Sequence, residues 1–449
     1  MKLIATVSGI RGIVGETLTP NVAADAGCAL ATFLGRGPIV VGRDSRISGD
    51  MVRSAVISGL LAGGCDVIDL GVCGTPTTAF MVARLGAAGG IMITASHNPL
   101  PWNGIKFFGP DAAAPARAVA EKILGILHGR QFRLVPTESV GHATSDDSAN
   151  RRHVEAVLKT VDVAAIQRRR FKVVLDSING AGGPAGRSLL EQLGCQVVHV
   201  NGEPTGRFAH TPEPTAENLT DLTRQTRQAG AHVGFAQDPD ADRLAIVDET
   251  GRYIGEEYTL VLAAAHVLAR TPGPVCVNLS TSRMIDDVAA RFPGCTVHRS
   301  AVGEANVVEG MRQHGCVIGG EGNGGVIDPR IVYVRDSLVS MALVLQVMVD
   351  AGSPLSYIVD VLPRYAMVKQ KFECAAECIA PVLSAVRKAF ASERISDVDG
   401  IRIDWPEGWV HVRGSNTEPI MRVFAEAAGE AAAAALIARV RAVVDSARS

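Results

Sequence analysis

The 449-residue chain carries almost no net charge, −2 at pH 7, so no global basic field recruits nucleic acid or an anionic membrane. It has no C-x-x-C pair. Its nine cysteines are odd in number and dispersed, which speaks against a disulfide framework and for a reducing, cytoplasmic setting. Cys374 and Cys378 share one helical face but make no metal set by themselves. No apolar run approaches the ~20 residues needed to cross a bilayer; the longest apolar helix candidates, 258–269 and 341–349, read as buried core helices. Residues 1–7 are too short an apolar stretch for a signal sequence. Low complexity is limited to the alanine run 431–435. What remains is 47% apolar and 20% charged, ordinary globular usage on a chain long enough for two to four domains.

Helix and strand patterns alternate along most of this length. Thr19-Pro20 supplies cap-then-proline chemistry for a helix reaching about Leu34; strand 38–41, helix 50–61, strand 67–70, helix 75–85 and strand 90–94 follow. The pattern restarts with strand 172–175, helix 187–193, strand 197–200, helix 219–229 and a strand entering Asp238. It restarts again with helix 258–269, strand 275–279, helix 282–292, strand 296–300, a helix ending near His314 and a strand entering Glu321. Such alternation predicts parallel sheets covered on both faces. The last section differs: strand 367–374, helix 379–390, a hairpin of 400–404 and 409–412 through Trp405-Pro406-Glu407-Gly408, and a closing helix 431–444. The expected fold is α/β, with three consecutive αβ domains of mixed, mainly parallel sheets and a small C-terminal α+β domain around a central cleft. Boundaries fall at 1–150, 151–253, 254–365 and 366–449.

Four polar motifs interrupt this framework. Thr94-Ala95-Ser96-His97-Asn98-Pro99 follows the apolar run Gly90-Ile91-Met92-Ile93, and Pro99 cannot continue a strand ladder, so the chain turns there and lifts the Ser96 hydroxyl out of the sheet. Asp238-Pro239-Asp240-Ala241-Asp242-Arg243 places three carboxylates at alternate positions, where an extended loop can aim all of them at one hard cation. A calcium loop of the EF-hand kind is the decoy, with Glu249 at its twelfth position; its sixth is Arg243 where that turn requires glycine, and the flanks read as strands. In Gly319-Gly320-Glu321-Gly322-Asn323-Gly324-Gly325 the glycines permit close backbone approach, and Glu321 and Asn323 offer partners for sugar hydroxyls. Arg413-Gly414-Ser415-Asn416-Thr417-Glu418-Pro419, with Arg422 beyond it, has the guanidinium, hydroxyl, amide and backbone N–H groups that cradle a phosphate.

These motifs, in this order, resemble those of the α-D-phosphohexomutase family, which includes phosphoglucomutases, phosphomannomutases and phosphoglucosamine mutases. Ser8-Gly9-Ile10-Arg11-Gly12, Gly42-Arg43-Asp44-Ser45-Arg46, Asn103-Gly104-Ile105-Lys106, Asn179-Gly180-Ala181-Gly182 and Pro212-Glu213-Pro214 extend the resemblance over essentially the whole chain. It implies a phosphoserine at Ser96 and one Mg²⁺ held by Asp238, Asp240, Asp242 and the Ser96 phosphate. It also implies sugar contacts from the Glu321 loop and substrate phosphate in the Arg413 loop, formed by Arg413, Ser415, Asn416 and Thr417 with Arg422 nearby. The implied reaction interconverts hexose 6-phosphate and hexose 1-phosphate through a hexose 1,6-bisphosphate that reverses orientation, with a phosphorylated hexose as the only partner and the chain a monomer or homodimer. Lys106 and Arg11 are implied near the reacting phosphate. Lysine serves as a base only if burial or a cation such as Arg243 depresses its pKa; otherwise Lys106 neutralises phosphate. His97 is a further proton-transfer or positioning candidate.

The chain departs from the family pattern Gly-Glu-x-Ser-Gly-His, with Asn323 for the serine and Gly325 for the histidine. Val302-Gly303-Glu304 has a carboxylate where several glucose- and mannose-acting relatives carry histidine. Glu304 can pair with a 2-ammonium group or simply cap a helix over 307–311. The combination favours phosphoglucosamine mutase, with phosphomannomutase/phosphoglucomutase as the alternative. A phosphosugar-binding protein or a phosphatase without phosphoserine is more remote.

Overall fold

The computed structural model describes residues 3–6, 9–414 and 420–448. Its strands form four successive sheets. The first has the order Ile4–Thr6, Gly9–Ile13, Trp102–Phe108, Gly89–Ile93, Ile39–Arg43, Val67–Val72, Ala143–Ser145. From Gly89–Ile93 outward it is parallel, as the alternation predicts, but Gly9–Ile13 and Trp102–Phe108 join it antiparallel. Glycine permits that pairing: a Cβ on Gly9, whose φ is +111°, would lie 2.4 Å from the Ile105 carbonyl oxygen.

The second sheet runs Leu244–Asp248, Val233–Gln237, Lys172–Asp176, Gln196–Val200, and the third Val297–Ser300, Val275–Asn278, Ile318–Glu321, Gly325–Ile327. In each, three strands are parallel and one returns antiparallel beside the strand that precedes it. The helix expected at 187–193 is Gly183–Gln192, beginning earlier because Pro184 occupies its first turn, where the absent N–H costs nothing. Helix Ser337–Ala351 starts at Asp336, whose carboxylate accepts from the Leu338 and Val339 amides, and is apolar all round. It is therefore buried, and its Leu338, Val339 and Met341 share one continuous core with Phe235 of the second sheet and Val277 of the third.

The last sheet, Ala366–Glu373, Ile420–Ala427, Gly408–Gly414, Ile401–Trp405, Arg394–Ser396, is wholly antiparallel. Helices Ala376–Ala389 and Glu430–Arg448 cover the face bearing Phe372, Val410, Val412 and Val423. The opposite face presents Arg402, His411 and Arg413, by alternation along the strands, toward the third unit, where Ser280 Oγ lies 2.9 Å from His411 Nδ1.

Helices Pro20–Leu34 and Gly49–Ala62 meet through glycine: a Cβ on Gly59 would fall 2.1 Å from the Ala24 carbonyl oxygen, and one on Gly27 2.3 Å from that of Val56. Gly59→Ala should force the helices apart at a cost of ~1–3 kcal/mol. Thermal unfolding followed by circular dichroism checks this, with a lowered midpoint as the expected outcome.

Candidate active site

Three of the four motifs are hairpin tips whose loops the structure describes: Gly89–Ile93 returns as Trp102–Phe108 around Ser96, Val233–Gln237 as Leu244–Asp248 around Asp238–Asp242, and Ile318–Glu321 as Gly325–Ile327 around Asn323. The fourth motif, after Arg413, also joins two antiparallel strands, but Ser415, Asn416 and Thr417 lie outside the described residues. A loop tied at both ends to one ladder holds its tip more firmly than a loop leading to a distant helix.

Ser96 is buried and has φ +51°, a left-handed conformation sparsely used by residues other than glycine and asparagine. Arg46 fixes it. All three guanidinium nitrogens of this buried residue are engaged: Nε donates to Asp44 (3.1 Å), Nη1 to the carbonyls of Pro99 (3.0 Å) and Trp102 (2.9 Å), and Nη2 to those of Ser96 (2.7 Å) and Asn98 (2.6 Å). Thr94 Oγ1 donates to Asp44 (2.7 Å) and accepts from the Ser96 amide (2.9 Å). The loop is thus held by its carbonyls, leaving the serine hydroxyl to the cleft.

The acidic loop shows a division of labour within each carboxylate. Asp238 Oδ1 accepts from the amides of Asp242 and Arg243; Asp240 Oδ2 accepts from Thr75 Oγ1 (2.5 Å) and Lys106 Nζ (2.7 Å); Asp242 Oδ2 accepts from Arg335 Nη2 (2.7 Å). The second oxygen of each, Asp238 Oδ2, Asp240 Oδ1 and Asp242 Oδ1, is buried without a hydrogen-bond donor. The three residues can present ligand atoms within 4.8 Å of one another. Three carboxylates at this spacing, each with an orphaned oxygen, fit a hard divalent cation. Burial, with Asp242 and Asp240 adding to it, raises the Asp238 pKa well above the carboxylate range. Burial pushes Asp240 the same way, but Lys106 and Thr75 outweigh it and hold Asp240 below that range; Arg335 does the same for Asp242.

Lys106 sits on the return strand of the Ser96 hairpin. Burial alone would lower its pKa, yet Asp240 and Asp242 leave it raised. His97 Nδ1 accepts from Arg243 Nη2 (3.2 Å) and lies 3.4 Å from Ser96 Oγ; burial, then Arg243 and Arg11, lower its pKa to about 3, which makes it a neutral imidazole. Arg11 donates to Asn98 Oδ1 (3.1 Å) and borders the same cluster.

The third loop differs from the sequence expectation in one respect. Both oxygens of Glu321 are already occupied, Oε1 by Asn278 Nδ2 and the Gly303 amide and Oε2 by Arg335 and Asn323, because the carboxylate is buried and must be satisfied. Asn323 instead keeps an orphaned Oδ1. Glu304 heads helix Glu304–His314 and also accepts from the Arg335 amide and Nε through Oε2; among the described residues nothing donates to its Oε1. Arg413 Nε lies 3.1 Å from Asp399 Oδ2 as an ion pair without hydrogen-bond geometry, and Asp399 Oδ2 accepts from the Val302 amide. Arg413 pairs across the ladder with Arg422, and Arg422 with Lys371, a row of cations on one face. Like charges directly opposite are destabilising, and Asp399 offsets the row at Arg413.

Sequence reasoning missed Arg335, Thr75 and the structural role of Asp44 and Arg46. Arg43-Asp44-Ser45-Arg46 carried a signal, in that two arginines and an aspartate directly after an apolar strand are costly unless paired. Arg335 carried none beyond its place before an aspartate that opens a helix.

Family models described as phosphoglucomutase/phosphomannomutase alpha/beta/alpha domains I, II and III match residues 2–134, 151–251 and 255–365, and the C-terminal domain of the same family matches 367–443. A probable phosphoglucosamine mutase of Methanopyrus kandleri is 40% identical, covering 94% of this chain and 93% of its own. A phosphoglucomutase/phosphomannomutase of Thermococcus kodakarensis is 39% identical, covering 96% and 95%. The crystal structure of a phosphoglucomutase/phosphomannomutase family protein from Burkholderia thailandensis superposes with a TM-score of 0.88 at 28% identity, covering 99% of this chain and 97% of that one.

Replacing Arg46 by Met keeps its volume and leaves Asp44 and four loop carbonyls without their donor. Removing one partner of a buried pair costs ~3–5 kcal/mol, and Arg46→Lys should restore only part of it because an ammonium cannot span the fork. Urea denaturation of both variants measures the two losses.

Proposed function

The chain belongs to the phosphoglucomutase/phosphomannomutase family and is a phosphohexomutase; on that premise we propose that Ser96 is its phosphoryl carrier and that it converts glucosamine 6-phosphate to glucosamine 1-phosphate. In the first transfer the bond from phosphorus to Ser96 Oγ breaks as one forms to the substrate's free hydroxyl oxygen; the hydroxyl loses its proton and Ser96 Oγ regains one, giving a hexose 1,6-bisphosphate and a free serine. That intermediate turns over in the cleft and returns its other phosphoryl group to Ser96, so nothing is consumed. Asp238, Asp240 and Asp242 would hold Mg²⁺, which supplies neutralising charge to the transferring phosphoryl group when bound.

The chain's own groups divide the remaining work. Lys106 enters as an ammonium and, with Arg11 and Arg243, offsets phosphate charge. His97, kept neutral, orients the Ser96 hydroxyl and Arg243. Arg413, with Arg422 and the Ser415–Asn416–Thr417 segment, grips the phosphate that is not reacting, in either orientation of the sugar. Asn323 Oδ1 is the acceptor offered to a sugar hydroxyl.

The observation that carries the sugar preference is Glu304, a carboxylate with one oxygen clamped by Arg335 and the other undonated, at a side-chain exposure of 16%. Such an oxygen suits a 2-ammonium better than a 2-hydroxyl, by ~0–1 kcal/mol if the pair stays solvated. The name of the Thermococcus kodakarensis relative supports the second reading, phosphomannomutase/phosphoglucomutase.

A coupled assay on glucosamine, glucose and mannose 6-phosphates, with the matching bisphosphate supplied, decides between them. The first should turn over best, Glu304→Gln should erode its advantage over glucose 6-phosphate, and Ser96→Ala should abolish turnover on all three. Faster turnover of mannose 6-phosphate would establish the second reading.

A further inference from the structure

Arg335 belongs to none of the four motifs, yet it joins two of their loops and Glu304. Its three guanidinium nitrogens each take a different carboxylate: Nε donates to Glu304 Oε2 (3.0 Å), Nη1 to Glu321 Oε2 (2.8 Å) and Nη2 to Asp242 Oδ2 (2.7 Å). Its own amide also donates to Glu304 Oε2 (3.1 Å). The side chain is 10% exposed and packs against the sugar loop so closely that a Cβ on Gly325 would fall 2.2 Å from its Cδ. Three carboxylates around one guanidinium are an expensive arrangement unless all are needed. In two of them, Asp242 and Glu304, Arg335 takes one oxygen and leaves the other: Asp242 keeps Oδ1 orphaned beside Asp238 and Asp240, and among the described residues nothing donates to Glu304 Oε1.

We propose that Arg335 is a positioning residue that sets the free oxygens of Asp242 and Glu304 with one rigid fork, so that cation affinity and recognition of the sugar's C2 substituent are coupled through it. A planar guanidinium divides three acceptors among fixed directions; twisting it to follow one carboxylate draws it off the other two. Partners behind the ligands of a metal site typically govern ~10–100-fold in affinity. The sugar half of the coupling rests on the reading of Glu304 given above, whereas the cation half does not.

Two variants separate positioning from mere charge. If Arg335 were only a nearby cation repelling Mg²⁺, Arg335→Met would tighten Mg²⁺ binding, whereas loss of a positioning fork weakens it despite the removed repulsion. Arg335→Lys keeps the charge and removes the fork. We expect Mg²⁺ affinity, measured by calorimetry with Mg²⁺ alone, to fall ~10–100-fold in both. The ratio of kcat/KM for glucosamine over glucose 6-phosphate should drop in Arg335→Lys and drop no further when Glu304→Gln is added. Mg²⁺ affinity unchanged in a folded Arg335→Lys, or tighter in Arg335→Met, overturns the proposal. Should Arg335→Met unfold, Arg335→Lys decides alone. Weakened Mg²⁺ binding with an unaltered sugar ratio would uphold the cation half and remove the coupling, and with it the role given to Glu304.

Discussion

Burying carboxylate charge at the centre of the molecule is the constraint from which the rest of this site follows. Asp238, Asp240 and Asp242 are all nearly inaccessible to solvent, and an isolated buried carboxylate is untenable. The protein satisfies one oxygen of each and leaves the other. Asp240 recruits Thr75 and Lys106 from the first unit, and Asp242 recruits Arg335 from the third. The docking of three units on one loop is thus an electrostatic necessity, and the same contacts bring the Ser96 hairpin and the sugar loop to it. What is left over is one orphaned oxygen per aspartate, the set proposed to take the cation.

Rigidity in the serine loop has a different origin. Arg46 holds four carbonyls of that loop from beneath, which allows Ser96 to persist at a positive φ. Phosphoryl transfer relies on positioning and charge neutralisation more than on covalent chemistry, so a serine that cannot wander and cations that cannot leave are the useful products of this fold. The last sheet is tied to the third unit near its cationic row, through the Arg413–Asp399 ion pair and the Val302 amide.

The alternating strands and helices were legible because their signals are local: Thr19-Pro20 at a helix start, apolar runs before polar loops, and three aspartates at alternate positions. The return strands were not. Trp102–Phe108 carries Asn103 and Gly104, poor strand formers, directly after its first residue, and its pairing depends on glycines that only the neighbouring backbone explains. The strands entering the three described loops are parallel to their inner neighbours, as the alternation implied; that each loop then turns back on the same ladder was not legible. Asp238, Asp240 and Asp242 could be named from spacing alone, but which oxygen of each stays free could not. Arg335 shows the limit most clearly, since Asp242 lies 93 residues away and nothing in Val332-Tyr333-Val334-Arg335 marks a guanidinium that three loops share. Glu321 could be named from its glycine-rich loop, but its bonds to Asn278, Gly303 and Arg335 could not.

The cation site is the centre of this account, and calorimetric titration of the purified chain with Mg²⁺ tests it most directly. One Mg²⁺ per chain should bind saturably, and binding should be sharply weakened in Asp240→Asn, which keeps the side-chain volume while removing one charge and one acceptor oxygen. Absence of saturable binding, or binding undiminished in Asp240→Asn, would contradict it.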